Sequence, residues 1–554
     1  MTDVVNPFEA RSASLADRRD GERPSTNGEW KTQLASSTPD AVFASARGSF
    51  AVAVTNESGR TILATDRFAT RALYYRIDGS RVLVSGRADE LAVDKTDLEP
   101  QALFDYLYFH IIPSPRTIFR GVYQLPAGHF ATFESGTLRV QPYWIPQFDE
   151  PQHFDLAWAK AEFKRLLLQA VRRRVETSGN TACYLSGGTD SSTIAGMIGL
   201  ASGTPAAAYS IGFDAEGYDE MRYARIAAKH FGCTHREYYV TPDDVVQTIP
   251  QIARAYDQPF GNASAVPAYH CALRAHEDGH SRILAGDGGD ELFGGNTRYA
   301  TQEIFTWYDR VPMFVRSRLL EPFFGNGMIG KTPLLRKGTG YIRRAKTPMP
   351  HRLQAFNLLR RLGYPEVLTP ELLAQITPTD PETQQEAVWS MARCGSELNR
   401  HLAFDWRYTL ADNDLPKIRG TARLAGISAA YPMLDDELVE FSMKLPDSYK
   451  VNRLRLRWFF KEALRDFLPD EILRKKKQGF GLPFGVWAMR HDRLHRLAVD
   501  ALRSIAGRGI VRTEFVDRLI AESLPSHPHY YGSMVWVLTM LEHWLQAHAP
   551  NYKL

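Results

Sequence analysis

The sequence predicts an α/β protein: a doubly wound parallel sheet with a helical C-terminal portion, preceded by a smaller α+β unit of antiparallel strands. Three observations predict it. Short β runs separated by turn signals fill residues 41–145, strands alternate with amphipathic helices from 154 to about 300, and the remainder is mainly helical in pattern. A chain of 554 residues exceeds one compact core, so two or three domains are expected.

Residues 1–40 are polar, rich in Ser, Thr, Asp and Arg, and lack a clear period; they read as a mobile arm. The β unit, 41–148, contains the runs GSFAVAV (48–54), TILAT (61–65), LYYRI (73–77), RVLVSG (81–86), HFATF (129–133) and LRVQPYW (138–144), with a helix near 99–108. A linker around IPQFDEPQHFD leads to the second domain, 154–554, which opens with an amphipathic helix over about 154–177. Strands follow at TACYL (181–185), AAAYSIGF (206–213) and THREYYV (234–240), with helices between them at TIAGMIGL and 218–232. This alternation defines a parallel sheet. Trp536, Met540 and Trp544 recur at helical spacing and read as core.

Composition narrows the function classes. Apolar residues make up 44% and charged residues 23%, as in an ordinary globular protein, and a net charge of +4 gives no whole-molecule case for binding nucleic acid or membrane. The four cysteines are scattered, which points to a reducing compartment without structural zinc. The charged N-terminus lacks the apolar core of a secretory signal, and no uncharged apolar run approaches the ~20 residues of a membrane span. A cytoplasmic location is expected.

The strongest local signal is Ser186-Gly187-Gly188-Thr189-Asp190-Ser191-Ser192, at the turn from the TACYL strand into a helix. Open α/β sheets bind ligands outside the carboxyl ends of their strands. Glycines there let the backbone approach a polyphosphate, helix N–H groups attract its charge, and Ser186, Ser191 and Ser192 add hydroxyl donors. Asp190 suits a phosphate cradle if a divalent cation lies between carboxylate and phosphate. A helix-capping Gly-Ser turn is the plain alternative; a P-loop is excluded, because the GK[ST] ending is missing. A second loop, Gly286-Asp287-Gly288-Gly289-Asp290-Glu291, follows an apolar strand, and parallel topology brings it to the same sheet edge. Asp190 and Asp290 are then candidate Mg²⁺ ligands. A third segment, Arg474-Lys475-Lys476-Lys477-Gln478-Gly479-Phe480-Gly481-Leu482-Pro483, suits a basic loop folded over the site. The nine Lys or Arg against three acids in 301–350 read as a solvated helical face, with a docking face for an acidic or phosphate-bearing substrate as the alternative, and His527 and His529 as residues without a metal.

Together these segments resemble the asparagine synthetase B family from about residue 41 onward. The features carrying the resemblance are SGGTDSS, SIGF-(x)5-DE (210–220), DQPFGNASAVPAY (257–269), GDGGDELFGG (286–295), PMLD (432–435), K-x-GF-x-x-P (477–483) and MVWVLTMLEHW (534–544). The resemblance implies an ATP-pyrophosphatase domain that cleaves ATP to AMP and pyrophosphate, forming an acyl-adenylate that becomes an amide. It further implies that Leu185, Gly187, Gly188, Asp190 and Ser191 bind ATP or its pyrophosphate, that Ile211 and Gly286 help bind the nucleotide, and that Asp190 and Asp290 hold Mg²⁺. Lys477 matches the family lysine that stabilises the adenylation transition state, and Asp287 is the candidate base for the second step. Expected partners are a small-molecule or peptide carboxylate and an amine or ammonia, with a homodimer as the candidate assembly.

The sequence also departs from that pattern. GSFAVAV, ATDRFATRALYY and LPAGH resemble the later half of the family's N-terminal-nucleophile glutaminase, but residue 2 is Thr2 and the first cysteine is Cys183. A glutaminase remnant without glutamine hydrolysis is expected. Arg419, Ser428 and Ala430 replace charged family residues, and Asp287 stands where many members have glutamate. An amide ligase of specialised metabolism, similar to β-lactam synthetases or lasso-peptide cyclases, is therefore the leading expectation. An ammonia-using asparagine synthetase comes second, and a non-catalytic scaffold is a remote third.

Overall fold

The structure is a computed structural model that describes residues 27–151, 154–175, 180–320, 344–476 and 481–554. The N-terminal unit contains β1 (Ala51–Thr55), β2 (Thr61–Thr65), β3 (Tyr74–Asp78), β4 (Arg81–Ser85), β5 (Val122–Gln124), β6 (His129–Glu134) and β7 (Thr137–Pro142). They form two antiparallel sheets, ordered β1-β2-β6-β7 and β4-β3-β5. Period-2 alternation explains their packing. Ala53, Leu63 and Ala131 of the first sheet meet Tyr75 of the second, with Leu73 and Leu125, in a shared core. The opposite face of the first sheet presents Val52, Val54, Ile62 and Phe130 to Trp30 and Phe43.

Trp30 and Phe43 belong to α1 (Asn27–Ser36) and α2 (Pro39–Ser45), which corrects the expectation of an arm over residues 27–40. Helix α1 is polar overall, so periodicity misses it. One aromatic anchors it: Trp30 is 9% exposed, and its ring lies 5.7 Å from that of Phe43 and 5.5 Å from that of Phe50. The remainder of the expected arm lies outside the described residues. Helix α3 (Pro100–Phe109) matches the expected helix near 99–108 and is buried along nearly its whole length.

The second unit is built on β8 (Thr181–Tyr184), β9 (Ala207–Phe213), β10 (Thr234–Val240), β11 (Arg282–Leu284) and β12 (Ser428–Ala430), all parallel in the order β10-β9-β8-β11-β12. Intervening helices are α4 (Leu156–Arg172) before the sheet, then α5 (Thr189–Ser202), α6 (Met221–Phe231), α7 (Pro242–Ala255) and α8 (Ala265–Glu277). Apolar residues of α4, α5 and α6, including Phe163, Ile194 and Ala227, cover one face. Those of α7 and α8 cover the other together with the C-terminal helix Pro528–His548. Trp536, Met540 and Trp544 are 3%, 1% and 0% exposed, so their helical spacing does mark core.

The chain runs outward from β8 through β9 to β10, then returns to place β11 on the other side of β8. That reversal is the topological switch point where α/β sheets open a crevice. Leu284 of β11 pairs with Cys183 of β8, so the loops leaving both strands emerge side by side. The N-terminal unit is tied to this domain by Arg67, which pairs with Asp436 (3.2 Å) and Glu440 (2.9 Å). No helix among the described residues is long and apolar enough to cross a membrane.

Candidate active site

A cavity of about 1000 Å³ opens at the switch point. Its floor is the loop from β8 into α5. Ser186 N–H donates to Ser191 Oγ (3.1 Å), and the two hydroxyls share a further bond of 3.1 Å. Gly187 has φ +67°, and a Cβ there would lie 2.3 Å from Ala224 N, so only glycine lets this turn pack onto α6. Helix α5 starts without a side-chain cap, leaving its N-terminal field to whatever enters the cavity.

The loop after β11 leads into α9 (Gly289–Phe293) and closes on the first loop. A Cβ on Gly289 would lie 2.2 Å from Asp190 Oδ1, so this contact also requires glycine. Asp190 and Asp290 thereby face one cationic group, the Arg457 guanidinium. Its Nη1 and Nη2 donate to Asp190 Oδ1 (2.5 Å) and Oδ2 (2.6 Å), and it also binds Asp290. This donor set fits Mg²⁺: two carboxylates converge on one cation. Among the described residues no group of three or more His, Cys, Asp or Glu forms a cage, so an ion here would complete its shell with phosphate oxygens and water.

Asp287 lies 3.5 Å from Lys417 Nζ, which donates to Asp414 at 2.8 Å. Burial raises the Asp287 carboxyl above the usual carboxylate range, and Lys417 opposes the rise. Glu291 is pushed well above that range, first by burial and then by Asp290, Asp414 and Asp405, which favours its protonated form. The apolar wall comprises Leu185, Ile211, Pro267, Ala268 and Cys271.

Most residues expected in the site line this cavity: Leu185, Ser186, Gly188, Asp190, Ser191, Ile211, Gly286, Asp287 and Asp290. Gly187 lies beneath, against α6. Ser192 differs from expectation: it is 0% exposed, so its hydroxyl does not reach the cavity. Lys477 lies outside the described residues, whereas Lys475 and Lys476 line the cavity. Lys475 Nζ is 2.9 Å from Glu220 and donates to Gly187 O at 3.4 Å. Arg419, Ser428 and Ala430 are not among the cavity's lining residues. Arg419 donates instead to the carbonyls of Ala69 (3.2 Å) and Thr70 (3.1 Å) in the N-terminal unit. His529 shares a 2.9 Å bond with Tyr218. Sequence reasoning missed Arg457, Asp414 and the role of Lys417. Arg457 sits in an arginine-rich stretch whose spacing carries no motif.

A parallel-sheet synthetase domain with two acidic, glycine-rich loops at its switch point, carrying an antiparallel β unit in front, defines the class: an α/β enzyme of the carbon–nitrogen ligase type. The family model for asparagine synthase matches residues 162–546, and the chain belongs to that family. A glutamine amidotransferase domain model matches residues 14–144. The chain is 24% identical over 449 residues to "Asparagine synthetase [glutamine-hydrolyzing] 1" of Bacillus subtilis, covering 80% of this chain and 68% of that protein. It is 26% identical over 539 residues to a putative glutamine-hydrolyzing asparagine synthetase of Mycobacterium tuberculosis, covering 91% and 79%. A shorter match, 28% over 273 residues, is to "Amidase chry2" of Gibberella zeae, covering 45% and 40%.

Proposed function

We propose that this protein is an ATP-dependent, AMP- and pyrophosphate-forming amide synthetase that acts through an acyl-adenylate on a small-molecule or peptide carboxylate and an amine or ammonia. The observation that carries the reading is the pairing of the Ser186–Ser191 loop with the Asp287–Glu291 loop over one cavity. Ser186, Ser191 and the N-terminus of α5 bind the pyrophosphate end of ATP, while Leu185, Ile211 and Ala268 give its base an apolar wall. Asp190 and Asp290 would hold Mg²⁺, which when bound supplies neutralisation of phosphate charge. The substrate carboxylate attacks the α-phosphorus and pyrophosphate leaves; Lys475, Lys476 and Lys477 oppose the charge that builds on it. The amine then attacks the acyl carbon, its proton passes to Asp287, and AMP departs. A partly buried carboxylate with a raised proton affinity suits that acceptance.

The nitrogen source is not the protein's own glutaminase in this reading. Residues 14–144, which match the amidotransferase domain, contain no cysteine. Cys183 is fully buried, and burial pushes its thiol up. A second reading, asparagine from aspartate and ammonia, is favoured by one observation: Arg419, Ser428 and Ala430, the departures that argue against aspartate, are not cavity-lining residues. The test is carboxylate-dependent ATP turnover, with AMP and pyrophosphate expected in equal amounts. ADP and phosphate as products would overturn the mechanism. Asparagine formed from aspartate would promote the second reading.

A further inference from the structure

The most unusual backbone near the site is the hairpin of β13 (Val451–Asn452) and β14 (Arg455–Leu456). Arg453 and Leu454 at its tip have φ of +47° and +68°, and Arg457 just beyond it has +55°. These are three of the seven non-glycine residues with positive φ among the described residues, packed into five positions. Arg453 and Leu454 are the two loop residues of the hairpin, where positive φ suits the strand twist, whereas Arg457 lies outside the turn, and strain there persists only where surrounding contacts over-determine it. Here they do: Leu454 N–H donates to Glu303 (2.7 Å) and Arg457 N–H to Gly294 O (3.1 Å). The outcome is one side chain, that of Arg457, only 5% exposed and aimed between Asp190 and Asp290.

The seat for that side chain is built. Thr189 Oγ1 accepts a further bond from Nη1, and the Phe460 ring lies 5.5 Å from the guanidinium carbon. A Cβ on Gly295 would lie 2.0 Å from Arg457 Nε, so the neighbouring loop leaves this space open. A planar fork matching two carboxylates holds them in place where a divalent ion would otherwise be needed.

We infer that Arg457 is a resident cation that occupies the divalent-ion position of the nucleotide-free enzyme, so that the metal enters only together with ATP. The inference rests on the reading that Asp190 and Asp290 hold Mg²⁺ with the nucleotide. Free metal must displace an ion pair that is already satisfied, and it gains only two carboxylates in return. A metal arriving on a triphosphate brings phosphate oxygens for its own shell and offers the guanidinium a new anion. Arg457 is therefore a positioning residue that enforces metal entry as a complex.

The test uses Mn²⁺ as a spin probe on the full chain, titrated with and without α,β-methylene-ATP. Wild-type protein is expected to bind Mn²⁺ at least tenfold more tightly with the analogue than without it. Arg457→Met is expected to bind Mn²⁺ in the absence of nucleotide at least tenfold more tightly than wild type, while binding the analogue more weakly. Arg457→Lys keeps the charge without the fork, is expected to fall between them, and carries the test if the methionine variant does not fold. Nucleotide-free wild type that binds Mn²⁺ as tightly as Arg457→Met or Arg457→Lys would overturn the inference and leave the site assignment intact. Failure of wild type to bind Mn²⁺ even with the analogue overturns the assignment itself, and the inference with it.

Discussion

Gly289→Ala separates the geometry of the site from the stability of the fold. The added methyl would lie 2.2 Å from Asp190 Oδ1 and 2.6 Å from Cγ, against the 3.4 Å at which ordinary contact begins. Asp190 must therefore move by about 1.2 Å, and it cannot swing freely because Arg457 holds both of its oxygens. A misplacement of roughly 1 Å at a reacting centre costs on the order of 10²-fold in rate. Stability should change little, because alanine in a helix gains about 1 kcal/mol over glycine and overpacking costs about 1–3 kcal/mol. Pyrophosphate release is expected to fall about 10²-fold while the melting temperature moves by a few degrees at most. Gly199→Ala, on α5 with the nearest atom 3.9 Å away, is the control and should retain full activity. A Gly289→Ala enzyme as active as wild type would refute the claim that the Asp190 position matters to the nucleotidyl step.

Three further outcomes are expected. Lys450 is 0% exposed, donates to Asn399 Oδ1 at 2.7 Å and lies 4.5 Å over the Phe148 ring, and burial lowers its pKa to about 7. Between that value and the ordinary lysine pKa the unfolded state binds more protons, so stability rises with pH; denaturant unfolding at pH 7 and 9 should show a gain of about 2 kcal/mol in wild type over Lys450→Met. Lys477→Ala should lose about 10²-fold in pyrophosphate release, the scale for one positioned transition-state donor; an unimpaired variant removes Lys477 from the mechanism. Incubation with glutamine should release no glutamate, measured by a coupled dehydrogenase assay; its appearance would show a nucleophile at work other than Cys183.

What the sequence made legible follows from the range of the interactions involved. Strands β8 and β9 are apolar runs beside glycine turns, and the polar strand β10 is marked by its Tyr238-Tyr239-Val240 end and its place after a helix, so local pattern defines all three. The two cavity-lining loops could be read because each concentrates glycine with serine or acidic residues over six or seven consecutive positions. Strand β12 could not: Ser428-Ala429-Ala430 is a strand only because it pairs with Arg282–Leu284, more than a hundred residues earlier. Helix α1 depends on Trp30 meeting Phe43 and Phe50 across the sheet face, a contact without a sequence period. Arg457 reaches the site from just beyond a two-residue hairpin, in a positive-φ conformation held by its bond to Gly294 O and by its carboxylate partners, contacts that carry no sequence pattern. Arg419 shows the converse: its replacement of an acid suggests altered specificity, whereas its side chain bonds to the N-terminal unit.

Adenylation of a carboxylate leaves an isotopic record that oxygen tracing reads. An acid that supports ATP turnover, taken from a panel that includes aspartate, would be supplied with ¹⁸O in its carboxylate, together with Mg-ATP and an amine. Attack of that carboxylate on the α-phosphorus followed by aminolysis carries one ¹⁸O into AMP and none into pyrophosphate. Label in inorganic phosphate, or AMP formed without label, would show that no acyl-adenylate forms.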